Sequence, residues 1–583
     1  MLQVGTSIKD MTPDISGITM MGWGMFDNKA YGIGMPIKSR AFVFYNDQTA
    51  NKIAYICAEI AFITIALKKG VIDYLKANGK DYFKEENVMI SATHTHSSPG
   101  GYSHYMMYNL TSKGFVKEVF DSYVESIAQS IIAADNNLKT AQISFNSGEI
   151  SENKNVAFNR SIEAYNLNPE VRKVKDQEKH LAIDRTMSFL RINQIVLDSD
   201  LPLNFKTVPM GVINWFAVHC TNIHSDNYLI HPDNKGIAAN EFEKYIKLKE
   251  KSPAFVSAFA QSACGDVTPN FKFHPNIKFH RGEFEDDYKS AEYNGLIQAE
   301  KAKELFYDDD KIEISDKLDY IHSYVDFSNV NIDPEFSNGI INLKTSSASI
   351  GTIMLTGTEE GPGISFNLKK TIDLFSIVLK NKYFSSLSPD QKKDFKDKLK
   401  SQGNKIIFAD MGEQSIFNNK NMEKLPIPQS ADKMVELLKT MSKNNSIGNK
   451  PWTPNILPIQ IFILGELAII SVPSEFTTVA GKRLKKTVLN ILKFQGVKEI
   501  VLSGYSNGYS GYVTTNEEYQ IQRYEGGSTH FGQWTLAAYQ TEFKKLALEL
   551  NQSKELRKIN HSIQPHLFSD EEIHKRSFVA NAI

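Results

Sequence analysis

The stretch Asn87-Val-Met-Ile-Ser-Ala-Thr-His-Thr-His-Ser-Ser-Pro-Gly-Gly101 starts as a short apolar run and ends in two histidines and a chain breaker. Val88-Met-Ile90 reads as a buried strand. Side chains two apart on a strand point the same way, so His94 and His96 are expected to project together from a strand end. Ser97-Ser98-Pro99-Gly100-Gly101 cannot continue a strand. It turns the chain and leaves the backbone accessible. This pattern suits a metal ligand with an acid–base partner beside it. It also suits two hydrogen-bonded histidines in a turn, and the stretch alone leaves both readings open.

Similar apolar runs lie on either side of it. They occupy residues 41–44, 53–57, 208–218, 255–260, 459–472 and 499–502. Several are continuous rather than alternating, as expected for strands covered on both faces. Helical stretches lie between them. In 116–138, Val119, Phe120, Tyr123, Ile127 and Ile131 form one stripe. Residues 291–306, 476–494 and 535–550 read the same way. This mixture predicts an α/β or α+β core. Residues 380–455, rich in Lys, Asn, Ser and Asp, read as a surface elaboration with helical pieces at 389–401 and 431–441.

Composition narrows the function classes. The 583 residues are 41% hydrophobic and 23% charged, an ordinary globular mixture. Lys+Arg number 66 against 67 Asp+Glu, so the basic surplus of a nucleic-acid-binding chain is missing and no nucleic-acid partner is expected. Cys57, Cys220 and Cys264 are too few and too scattered for a disulfide framework. Set among small and apolar residues, they read as buried thiols. Their spacing fits no cysteine-based zinc site, which leaves His, Asp, Glu and Tyr as possible metal ligands. No apolar run reaches the ~18–20 residues of a membrane span. The opening MLQVGTSIKDMTPD lacks the basic and apolar regions of a signal peptide. A soluble chain of uncertain location is expected.

Four more places could carry chemistry. Gly211-Val-Ile-Asn-Trp-Phe-Ala-Val-His219 is a second apolar run ending in a histidine, either a ligand or a satisfied interior residue. Zinc needs ligands that converge from separate elements, so two such strands strengthen each other. Residues 255–270 run from a strand into a loop with Gly265, Asp266, Thr268 and Asn270. Thr268 is a nucleophile, a hydrogen-bond donor or simply a turn residue before proline. Glu475, in a strand–turn–helix passage, is a ligand or a first-turn helix residue. Tyr512 and Tyr524 sit in Tyr- and Gly-rich loops, and their phenols suit a metal, an oxyanion or a plain surface.

Taken together and in order, these residues resemble a known family. HTHSSPGG (94–101), NWFAVH (214–219), GDVTPN (265–270), VPSEFTTVAGKRL (472–484) and YSGYVTTNEEYQIQRYEGGST (509–529) look like the neutral ceramidases. YNLTSKGF (108–115), FNRSIEAY (158–165) and EEGPG (359–363) fit as well. The resemblance implies a large mixed-sheet α/β zinc hydrolase domain over residues 1–550, elaborated around 380–455. The tail 551–583 falls well short of the ~100 residues of the immunoglobulin-like sandwich that longer members carry. It also implies one zinc ion held by His94, His219, Glu475 and Tyr512. His96 would serve in acid–base chemistry, and Arg160 and Tyr524 would stabilise an oxyanion. The implied reaction is hydrolysis of the amide of ceramide by a zinc-activated water, giving a fatty acid and a sphingoid base. A transient contact with a membrane surface follows from such a substrate, and a secreted or periplasmic location follows from the family pattern. Thr268 stands where the family has serine. It keeps the hydroxyl but adds a methyl, so water is the expected nucleophile and Thr268 a support. The competing readings are hydrolysis of another N-acyl lipid on the same scaffold, or a silent lipid-binding protein. Residues 20–26 and 102–108, rich in Met, Trp and Tyr, read as a lipid-facing rim or as core packing.

Overall fold

In the strand Lys52–Ala58, Ala54, Ile56 and Ala58 face helices, whereas Ile53, Tyr55 and Cys57 face a second sheet. Both faces are dry, which is why this run is apolar throughout. The computed structural model describes residues 2–197, 204–425 and 427–577. It contains a nine-stranded mixed sheet. Eight strands follow the order Val256–Gln261, Phe205–Phe216, Thr186–Leu197, Lys139–Glu149, Leu2–Asp10, Lys38–Asn46, Lys52–Ala58, Val88–Ala92, and Ile312–Glu313 pairs with Lys139–Glu149. The pairs at the two ends of this order are parallel, and those between them antiparallel.

A second sheet orders Leu318–Asp326, Ile456–Leu464, Leu467–Ser471 and Glu499–Ser503, again with a parallel pair at one end. The two sheets pack face to face. Phe42, Tyr55, Leu190, Ile213 and Trp215 of the first meet Leu318, Phe462, Leu464, Ile469 and Val501 of the second. Helices Ile65–Ala77, Lys117–Asp135, Asp233–Lys249 and Asp287–Tyr307 cover the outer face of the first sheet. Thr478–Leu492 and Thr535–Leu550 cover the outer face of the second. The result is a helix–sheet–sheet–helix stack, the layering that buries every apolar face.

Some elements depart from the sequence reading. The run 459–472 is a hairpin: Gly465, at φ +56°, turns Ile456–Leu464 into Leu467–Ser471. The helix expected from 476 begins at Thr478, because Glu475–Phe476 pairs as a short strand with Tyr512–Val513. The stretch 380–455 holds the end of helix Phe366–Ser386 and the helices Pro389–Gln402 and Lys433–Lys443; residue 426 lies outside the described residues. The described part of the tail packs on the loop near residues 102–115: Arg576 Nη1 donates to His104 O at 2.8 Å. Residues 578–583 lie outside the described residues. Among the described residues no helix is long and apolar enough to cross a membrane.

Candidate metal centre

The carboxyl ends of the parallel strand pairs converge on one place. Val88–Ala92 leads to His94, Phe205–Phe216 to His219, and Val256–Gln261 to the loop with Thr268. From the other sheet, Leu467–Ser471 leads to Glu475, and Glu499–Ser503 to Tyr505, Tyr509 and Tyr512. Crevices of α/β proteins open at such strand ends. Hydrogen bonds to main-chain carbonyls join the loops. Gln261 Nε2 donates to Thr93 O at 2.9 Å and to Val218 O at 2.5 Å. The Gly265 amide donates to Phe476 O at 2.8 Å, and the Glu475 amide to Gly511 O at 2.9 Å.

His94 and His96 do come together, but not by strand alternation. The strand stops at Ala92, and His94 adopts a left-handed backbone at φ +71°. Its amide donates to Ile60 O at 3.0 Å. The two rings then meet edge to face, with centroids 4.6 Å apart and Nε2 atoms 3.1 Å apart. Gly22 makes room for this. At φ +126°, a Cβ there would lie 2.3 Å from the His96 ring. Trp23 follows, edge-on to His96 and stacked on His224.

His94, His219 and Glu475 are buried, and their ligand atoms all lie within 4.8 Å of one another. Each histidine has its Nδ1 against a main-chain carbonyl, His94 on Ala61 O at 2.7 Å and His219 on Val267 O at 2.9 Å. A donated Nδ1–H fixes the tautomer and leaves Nε2 as the lone pair. Burial lowers His94 to about 4, which keeps it neutral. Burial alone would raise Glu475. His94, His219 and a bond from Tyr509 override it and hold the carboxylate well below its usual range. Tyr505 donates to its Oε2 at 3.1 Å and Tyr509 to its Oε1. Burial would lower His219 too, but Cys264 and its bond with Glu475 push it up to about 10, so its Nε2 proton must leave for an ion to bind there. With that proton gone, two imidazole nitrogens and an ionised oxygen, each oriented from behind, fit a divalent metal ion.

The other expected residues form a charged wall beside this group. Tyr512 is in register with Glu475 on the paired strand. Its hydroxyl accepts from Arg160 Nη2 at 3.1 Å. Arg160 also donates to Glu360 Oε1 at 2.6 Å, Glu525 Oε1 at 2.8 Å and Gly265 O at 2.8 Å. Tyr524 stands edge-on to Tyr512, and the Arg160 guanidinium lies 5.7 Å from its ring centre. Thr268 Oγ1 donates to Glu360 Oε2 at 2.5 Å and accepts from the Asn270 amide at 2.9 Å. Its hydroxyl therefore braces a carboxylate.

The sequence reading missed Glu360, Glu525, Tyr505 and Tyr509 as individuals. All four lay inside or beside motifs already singled out, but nothing local says which distant group each one meets. Of the two rim candidates, 102–108 is mainly a buried wall: Tyr102, Tyr105 and Met106 are buried, and Tyr108 bonds Tyr509 O at 3.1 Å. In 20–26, Met20 and Met21 are buried, whereas Met25 is exposed. The three cysteines are buried thiols, as read.

Comparison with known proteins agrees with this fold. The family described as neutral/alkaline non-lysosomal ceramidase, N-terminal, matches residues 2–429 and 429–541. The neutral ceramidase of Pseudomonas aeruginosa is 34% identical over 549 residues, spanning 94% of this chain and 72% of that protein. Neutral ceramidase B of Dictyostelium discoideum is 34% identical over 571 residues, with the same coverage of 94% and 72%. The crystal structure of the Pseudomonas aeruginosa neutral ceramidase superposes with a TM-score of 0.73 at 32% identity, covering 94% of this chain and 74% of that one. A structure described as ceramidase complexed with C2 superposes at 0.75 with 31% identity, covering 97% and 78%. Motifs, layered fold and near full-length similarity agree, and the chain belongs to the neutral/alkaline non-lysosomal ceramidase family.

Proposed function

We propose that this chain hydrolyses the amide bond of ceramide to a fatty acid and a sphingoid base, with zinc held by His94, His219, Glu475 and Tyr512. The observation that carries the reading is the buried His94–His219–Glu475 group, with both histidine tautomers set by main-chain carbonyls. Zinc, when bound, polarises a carbonyl and brings the pKa of a water close to neutrality.

The chain's own residues supply the rest. His96, beside His94, takes up a proton as the amide carbon is attacked and returns it to the departing nitrogen. Burial and the neighbouring His94 and His219 hold it well below its ordinary pKa, so it starts as a neutral base. Arg160, fixed by Glu360 and Glu525, orients the Tyr512 hydroxyl and keeps positive charge next to the reacting group. The Tyr524 phenol makes no hydrogen bond to another described residue and donates to the carbonyl oxygen as it gains charge. Thr268 positions Glu360 and does not attack.

The test is release of fatty acid from a panel of ceramides and other N-acyl lipids, with and without a chelator, read by mass spectrometry. Chelator-sensitive release from ceramide is expected. Release confined to other N-acyl lipids, or indifferent to the chelator, would contradict the reading.

A further inference from the structure

Helix Phe366–Ser386 is apolar on both of its faces. Inward, Ile372, Phe375 and Leu379 pack on the core of the second sheet, and Ser376 Oγ donates to Ile407 O at 2.7 Å. Outward, Leu374 is 67% exposed, Val378 63% and Ile377 37%. These three sit at i, i+3 and i+4 and form one stripe. Phe366 and Leu368 are exposed at the helix start. A surface helix ordinarily carries polar residues there, and a contiguous exposed apolar stripe marks an interaction.

The charge around the stripe says what it meets. The helix carries Lys369, Lys370, Lys380 and Lys382 against the acid Asp373. Asp373 is already held by Lys369 at 2.7 Å and by the Thr352 hydroxyl at 2.5 Å. Lys370 stands 5.1 Å above the centre of the Phe366 ring. An apolar stripe flanked by lysines is the face that an interfacial helix turns to an anionic bilayer.

The helix is also mounted at the candidate site. Its N-cap Ser365 ends the loop that brings Glu360 to Arg160 and Thr268. Gly361 of that loop lies against the Trp23 ring, and Met25 beside Trp23 is 51% exposed.

We propose that helix Phe366–Ser386 docks the protein on an anionic lipid bilayer, with Leu374, Ile377 and Val378 below the headgroups and Lys370 and Lys382 at their level. The choice of a bilayer rests on the lipid-substrate reading above, but docking itself requires no hydrolysis. The experiment therefore uses ceramide-free vesicles, of phosphatidylcholine alone and of phosphatidylcholine mixed with phosphatidylglycerol, in flotation with the full chain. Leu374→Glu/Val378→Glu is expected to weaken binding to the mixed vesicles by about tenfold or more. The same variant should keep the wild-type melting temperature and the wild-type rate on a dissolved short-chain N-acyl substrate. Lys370→Ala/Lys382→Ala should lose about thirtyfold on the mixed vesicles and little on phosphatidylcholine.

A glutamate pair that floats like wild type would overturn the proposal, as would a wild-type chain that does not float. A wild-type dimer that the glutamate pair makes monomeric in sedimentation velocity, with flotation unchanged, would assign the stripe to self-association instead. Flotation that responds as stated, in a chain that hydrolyses no ceramide, would leave docking standing and remove the functional reading.

Discussion

Thr268 donates its hydroxyl proton to Glu360, which is already paired with Arg160, so a single oxygen helps to hold the charged wall of the site. Thr268→Ser keeps that bond and should retain kcat/KM within about threefold. Thr268→Val removes one of three donors to Glu360 Oε2 and leaves Thr221 Oγ1 and Asn270 Nδ2 in place, a loss of about 1 kcal/mol, so kcat/KM should fall by about fivefold. Loss beyond about ten-thousandfold in steady-state assays would instead make Thr268 the nucleophile. Tyr509 donates to Glu475 from behind the proposed metal site. Tyr509→Phe should weaken zinc binding by about 10- to 100-fold in competition with a chromophoric chelator, and unchanged affinity would show that this bond does not tune the site. His94, His219 and Glu475 were legible in the sequence because each follows an apolar run whose end must leave the core. Glu360 and Glu525 were not, because they meet Arg160 across 200 and 365 residues of chain, and only the folded sheets bring them together.

At the scale of elements, the site depends on two loops lying in direct contact. The Gly265 amide bonds Phe476 O, and a Cβ on Gly265 would lie 2.8 Å from Glu475 O and 3.0 Å from the Phe476 carbonyl carbon. Those are backbone atoms and cannot swing aside. Gly265→Ala should cost about 1–3 kcal/mol, seen as a lower urea midpoint, and should weaken metal binding because Glu475 moves with its strand. A variant with wild-type midpoint and metal affinity would show that the loops separate freely. The strands themselves were readable because two stacked sheets between helix layers bury both strand faces, leaving long apolar runs. The hairpin at Gly465 was hidden for the same reason: with both faces apolar, the run shows no polar break beyond Gly465-Glu466. The left-handed His94 was invisible too, since a tertiary bond to Ile60 O, not a local preference, sets that backbone.

At the scale of the whole molecule, two sheets bring the carboxyl ends of three parallel strand pairs to one point, so that histidines from one sheet face a glutamate from the other. The layering accounts for a centre that is buried and oriented from behind. The surface around it was the least legible part, because exposure of Leu374 and Val378 follows from how helix Phe366–Ser386 is laid on the core and not from its composition. The most direct test of the account is the metal content of the wild-type chain and of His94→Ala, His219→Ala and Glu475→Gln, purified side by side, with ceramide hydrolysis measured on the same samples. About one zinc per wild-type chain is expected, with little in any variant, and activity falling in step with the metal. Variants that keep a full complement of zinc, or that hydrolyse ceramide at the wild-type rate without it, would contradict the account.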